Sequence, residues 1–469
     1  MYRFRSTKYL LDEEFKELEN QEIYFAPPEQ LNDPMEGFKD IFWQGDEILW
    51  KNFLKHYLLC FEHIVSIWSV IGESERIEGN YIPVFKTETE LLTEEHKQRF
   101  SDIKEKFFSN KCISNLPKLL SSRKVPIRIN ELTMYLEFVH KFAFDSINLV
   151  YSQKGLMDRI EILGDKADDV TTFQKIIEGA NRFCEDINYK DNGEEIFEVL
   201  KNTSDELKLI SYYNKDIDFN HHNMKFIIET FPSSYLSILD KLIYQKWYTA
   251  CFMDNYHNSS VWGSYGDNHK GICLEFKTKK KEGDEYLTLK SIKSCGTTGD
   301  IVEKRDYELK KVTYQKKFIE IDFFKSLGRL SITKLKSQWY VDENGNSSKY
   351  IDLGKFDDDW RNLYWDDFYK SVTTKTEDWK YECEYRMVID EYFTDYGEIE
   401  KRKLIYDFND LDGIIFGIKT SDSDKIKIMR IIEKKCRETG RDKFNFYQAK
   451  YSHETGQIER KRLNLLKFK

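Results

Sequence analysis

Late in the chain, residues 379–390 read WKYECEYRMVID. The alternation predicts a half-buried strand over 381–390. Every second side chain of a strand turns to the same face, so Glu382, Glu384 and Arg386 share one, with the two glutamate Cα atoms about 7 Å apart. Paired carboxylates at that spacing can stabilise a sugar that gains positive character as a bond to it breaks, one holding a hydroxyl while the other aligns the attacking group. On that chemistry Glu384 is the first catalytic candidate and Glu382 its helper. The competing expectation is structural: both glutamates lie on the solvent face of an edge strand, and Arg386 is an exposed ion-pair partner worth under about 1 kcal/mol.

Three other places offer polar groups. In YRFR (residues 2–5), strand alternation puts Tyr2 and Phe4 on one face and Arg3 and Arg5 on the other. A planar guanidinium grips phosphate bidentately, which makes Arg3 or Arg5 a candidate for pyrophosphate or ribose; surface charge is the alternative. In LNDPMEG (31–37), Asn32 and Asp33 form a turn before Glu36 and are secondary candidates, although such a turn often only ends a strand. In SSVWGSYGDNHKG (259–271), Ser260, Tyr265 and His269 are candidate ligand contacts, with Tyr265 able to stack on a ring and His269 to donate to phosphate or shuttle a proton. Trp262 reads as core.

These residues need elements to hold them. Strands are expected at 2–5, 21–26, 247–254 and 271–278, over 312–316 and 381–390, and at the end, where GIIFGIKT, SDSDKIKIMRIIEKKCRE and FNFYQAKYS read as strand, capped helix and strand, with Ser421 or Asp422 as N-cap. Between about 46 and 245 apolar residues recur every three or four positions, predicting amphipathic helices broken near Pro117, Pro126 and Gly155. About 279–300 reads as a solvent-facing hairpin, and 317–370 as mostly helical. The expected fold class is α+β: a mixed β core formed by 1–45 and 246–450, a helical insertion at 46–245, and a basic tail at 451–469.

Composition narrows the function classes. The 469 residues carry a formal charge of −9, yet 33% are charged with both signs interspersed, so wholesale coating of nucleic acid is not expected, and nucleic-acid binding stays open. Eight cysteines without a C-x-x-C pair suggest neither a zinc site nor a disulfide framework. No run of 18 apolar residues and no signal-like h-region is present, so no membrane partner and a reducing cytoplasm are expected. P-loop and dinucleotide-binding glycine motifs are absent, adjacent His221 and His222 are poorly spaced for one metal, and no metal is predicted.

The ordered blocks YRFRS, QEIYFAPPEQLNDPMEG, ACFMDNYHNSSVWGSYGDNHKGICLEF, DWKYECEYRMVI and LDGIIFGIKT resemble the bacterial domain-of-unknown-function family 2971, over roughly 1–45 and 246–450. More distantly, an early arginine strand, a middle block with hydroxyl residues and a late Glu-x-Glu are similar in order to ADP-ribosyltransferases. That likeness implies a split-sheet core and NAD as substrate, with Glu384 and Glu382 at the ribose. It also implies a macromolecular acceptor or regulatory partner, met through the helical insertion, and a toxin or phage-defence role. The alternatives are a metal-dependent nuclease using Glu382, Glu384 and Asp366 or Asp367, and a non-catalytic sensor or interaction module.

Overall fold

In a computed structural model, residues 1–160, 175, 177–179, 182, 189–214, 221–296, 299–351, 358–392 and 394–464 are described. The class is α+β with mixed sheets, as expected. The chain divides into two compact units: the first comprises 1–39, 245–319 and 368–469, the second 40–244 and 320–367. Residues 320–367, expected in the β core, therefore belong to the helical unit. Among the described residues no helix is long and apolar enough to cross a membrane.

The first unit is built on an eight-stranded sheet, ordered Lys310–Lys311, Glu384–Asp390, Trp247–Met253, Tyr2–Arg5, Ile272–Phe276, Leu411–Phe416, Asn445–Tyr451 and Ile458–Arg462. Every pairing is antiparallel except that of Leu411–Phe416 with Asn445–Tyr451, which run parallel. A parallel pair needs a crossover, and the helix Asp422–Thr439 supplies it, capped by the Ser421 hydroxyl and ended by Gly440 in the left-handed region. One face of the sheet packs on that helix through Ile428 and Ile432, together with Phe252, Leu274, Met387 and Ile414. On the other face Phe4, Met253, Cys273 and Ile415 pack around Trp262. A second sheet pairs Glu22–Tyr24, Lys403–Tyr406 and the long hairpin Asp284–Gly296 with Gly299–Glu308.

Three local expectations change. Residues 458–462 are not tail but an edge strand on Asn445–Tyr451, with Ile458 buried; 465–469 lie outside the described residues. The strand expected from 381 starts at Glu384, because Glu377–Glu382 forms a 3₁₀ turn that ends at Cys383 with φ 48°. The second unit carries the long helices Glu47–Ile71 and Ile129–Gln153 and a small sheet of Asp40–Trp43, Ile127–Arg128 and Glu320–Asp322. In it Pro117 lies inside the helix Lys111–Ser121, whose start is set by the Asn110 side chain, so the break falls there instead.

Candidate functional site: a buried knot of carboxylates and cations

Strand register decides which side chains can meet. Met253 lies opposite both Tyr2 and Glu384. Directly opposed residues of antiparallel strands point to the same face. Tyr2, Phe4, Cys251, Met253, Glu384 and Arg386 therefore share the Trp262 face, and Arg3 and Arg5 point to the opposite one. The expected convergence of Arg3 or Arg5 with Glu384 does not occur. Arg3 is buried over the Phe252 ring and donates to the Cys251 and Tyr24 carbonyls. Arg5 forks onto Glu17 and lies over Tyr9. Both arginines are committed to holding the fold.

On the Trp262 face, three carboxylates close around two cations. The Lys375 ammonium stands 2.8 Å from Glu382, 2.9 Å from Glu384 and 3.1 Å from Glu36. Arg386 donates through Nε and Nη2 to Glu384 at 2.8 and 3.1 Å, through Nη2 to Glu36 at 2.7 Å and through Nη1 to the Val372 carbonyl at 2.7 Å. None of these five side chains is more than 2% exposed. Arg386 is thus no exposed partner on an edge strand: its strand runs between two others, and the cluster is interior. One acceptor stays open, since Glu36 Oε2 is buried without a hydrogen-bond partner.

Each member arrives on its own support. The Asp33 side chain accepts from the Met35 N–H, the Asx turn that the sequence LNDPMEG encodes, and this fold of the turn delivers Glu36. Lys375 is presented by a parallel pair, Thr374–Lys375 against Thr313–Tyr314, and the Tyr314 hydroxyl accepts the Glu384 N–H at 2.9 Å. Between the two glutamates Cys383 takes a left-handed conformation that costs a non-glycine residue on the order of 1 kcal/mol. Through this kink the end of a 3₁₀ turn and the start of a strand bring both carboxylates onto Lys375.

Tyr265 links the knot to the surface. Its hydroxyl is 2.6 Å from Glu382 Oε1 and 2.9 Å from Asn32 Oδ1, and Asn32 is exposed. A phenol has one proton to give, so two arrangements fit these contacts. With Glu382 ionised, Tyr265 donates to Glu382 and the Asn32 amide turns to donate to Tyr265. With Glu382 protonated, Glu382 donates to Tyr265 and Tyr265 to Asn32. The three groups form a hydrogen-bonded chain from a buried carboxyl to an exposed amide. Tyr265 is fixed by the turn before it, where Trp262 donates to the Tyr256 carbonyl at 2.8 Å and packs edge-on against Phe4.

The two glutamates differ in acidity. Burial would raise Glu384, but Arg386 and Lys375 outweigh it and hold the carboxyl down at about 2. For Glu382 burial dominates and, against the pull of Lys375 and Tyr265, pushes the carboxyl above its ordinary value, with the Glu384 charge adding to the push. Tyr265 is raised by burial and by both glutamates. Three acids facing two cations leave one negative charge in excess, and Glu382 is the member whose surroundings favour a proton.

The remaining candidates lie outside this group's hydrogen bonds. Ser260 is exposed and its N–H is capped by Asn258. His269 ends a run of three left-handed residues, Asp267, Asn268 and His269; its backbone bonds Trp262 and Lys419, and burial with Lys419 nearby lowers its pKa. Sequence reasoning missed Lys375 and Tyr314. The only signal was a lone lysine in the β-branched run VTTKT. No group of three or more His, Cys, Asp or Glu side chains among the described residues is arranged to hold a metal ion. In the knot, Lys375 stands where a cation would.

Residues 261–387 match the model of the family described as Protein of unknown function (DUF2971), so the resemblance to that family is shown over the segment from the Trp262 turn to the Arg386 strand. No curated protein and no solved structure matches the chain. The likeness to ADP-ribosyltransferases rests on the order of residues alone.

Proposed function

We propose that the first unit is an enzyme whose acid–base group is Glu382, with Glu384 as a fixed negative charge beside it, and that it breaks a ribosyl N-glycosidic bond in the manner of NAD-consuming, ADP-ribosyltransferase-like enzymes. The observation that carries this reading is the divergence of two neighbouring carboxyls, one held ionised and one pushed toward its protonated form and hydrogen-bonded through Tyr265 to the exposed Asn32. A permanently ionised carboxylate suits a sugar gaining positive character; nicotinamide leaves as a neutral base and takes no proton, so a carboxyl of raised pKa serves in its ionised form, accepting the proton that the attacking group gives up. Because the knot is closed, substrate reaches it when Asn32 and Tyr265 part. Arg3 and Arg5 lend no support, so phosphates would be met by other groups. A macromolecular acceptor and a toxin or phage-defence role belong to this reading.

A second reading, a non-catalytic interaction module, is favoured by the closure itself: five ionic side chains at or below 2% exposure are what a structural keystone requires. Nicotinamide release from NAD separates the two. Turnover by the wild-type chain, with a loss of about 10²–10⁴-fold in Glu382→Gln and a comparable fall in Tyr265→Phe while thermal melts stay close to wild type, is the expected result. Absence of turnover, or an undiminished Glu382→Gln, removes the enzymatic reading and leaves the keystone.

A further inference from the structure

The second unit holds a cavity of about 400 Å³, within the range of small-ligand sites. Aromatic rings line part of its wall. Trp360 stacks on Tyr364 with centroids 5.3 Å apart, Tyr364 meets Tyr244 at 5.1 Å, and Tyr350 faces the cavity from another segment. Among the described residues the lining also includes three acids, Glu320, Asp322 and Asp367, and one lysine, Lys325. Glu320 is already paired with Arg128. Asp322 sits deeper, with its side chain 12% exposed, and accepts from the Tyr350 hydroxyl at 2.7 Å.

The lysine shows what the cavity takes. The Lys325 ammonium lies 4.1 Å from the centre of the Tyr350 ring and 3.4 Å from Asp322 Oδ2. An aromatic face and a carboxylate around one ammonium form a binding geometry for an organic cation. Lys325 is 51% exposed, so its ammonium can turn to water when another cation takes its place at Asp322.

We propose that this cavity binds an alkylammonium or alkylguanidinium group, with Asp322 as its anion and Tyr350 as its aromatic face, and that Lys325 is the internal cation which the ligand displaces. This assignment is independent of the NAD reading of the first unit. The chemistry is shared by free polyamines and by the basic side chains of a peptide, and two probes tell the sources apart: agmatine, and an acetylated, amidated tripeptide with a central arginine.

Calorimetric titration of the full chain with each probe is the test. Saturable binding of at least one probe is expected, and the tighter of the two identifies the source. Asp322→Asn is expected to weaken it by about tenfold or more, the worth of a charge-assisted contact. Lys325→Ala, checked for folding by thermal melt, is expected to tighten it severalfold, because it removes the competitor. Failure of both probes to saturate overturns the proposal. So does unchanged or weakened binding in Lys325→Ala, or undiminished binding in Asp322→Asn.

Discussion

At the residue scale, one charge cluster holds ionic groups that burial alone would disfavour. Taking an ion out of water costs several kcal/mol, and Glu384 is repaid by a forked Arg386 and by Lys375. Removing one partner leaves the other buried without compensation, so Arg386→Met is expected to lower stability by about 3–5 kcal/mol, read from urea melts. The pH dependence follows from the same pair. Glu384 is held at about 2 against an ordinary 4.5, so folding favours its ionised form. Its contribution is complete above 4.5 and drains away as pH falls through 2. Glu382 has the opposite sign: raised in the fold, it contributes stability while protonated and loses it as pH rises through its folded value. Stability measured from pH 7 down to 2 should fall less steeply at its acid end in Glu384→Gln than in wild type; an unchanged slope would show that Glu384 is not held low.

At the element scale, the parts with local signals were legible and those set by distant pairing were not. Ser421 as N-cap, the Asx turn at Asp33 and the alternation of residues 2–5 are read from neighbours a few positions away, and the structure has all three. Glu382 and Glu384 do converge, but through a left-handed Cys383 and a 3₁₀ turn, a backbone choice that period-two alternation does not encode. Lys375 escaped because its role depends on Tyr314, Glu36 and Glu384 arriving from three segments. Strand parity, visible only once the Tyr2–Met253–Glu384 register is known, separates Arg3 and Arg5 from the carboxylates. The turn that carries Tyr265 depends on close approach: a Cβ on Gly271 would come 2.4 Å from the Arg5 carbonyl oxygen. Gly271→Ala is therefore expected to destabilise by about 1–3 kcal/mol, measured by denaturant midpoint, and to shift the Tyr265 hydroxyl away from Glu382.

At the scale of the whole molecule, each unit is assembled from separated stretches of chain: three for the first unit, two for the second. The sequence leads to the expectation of a helical insertion at 46–245 between two parts of a β core; the second unit comprises 40–244 and 320–367, and the sequence of 320–367, read as mostly helical, carries no mark of where it packs. Non-local pairing of this kind makes folding slow. Residues 2–5 occupy an inner position in the sheet, between Trp247–Met253 and Ile272–Phe276. Deleting residues 1–6 should abolish the cooperative melt of the first unit while helical circular dichroism from the second persists; loss of both signals together would mean that the units do not fold separately.

That same strand has a consequence for the chain during synthesis. Its neighbours in the sheet begin roughly 240 residues downstream of it. At ordinary ribosomal speeds they emerge on the order of 10–50 s later. Through that interval an aromatic, hydrogen-bond-hungry edge waits with neither side paired, the condition in which nascent polypeptides stick to one another. Residues 2–5 should therefore be a holding site for ribosome-associated chaperones.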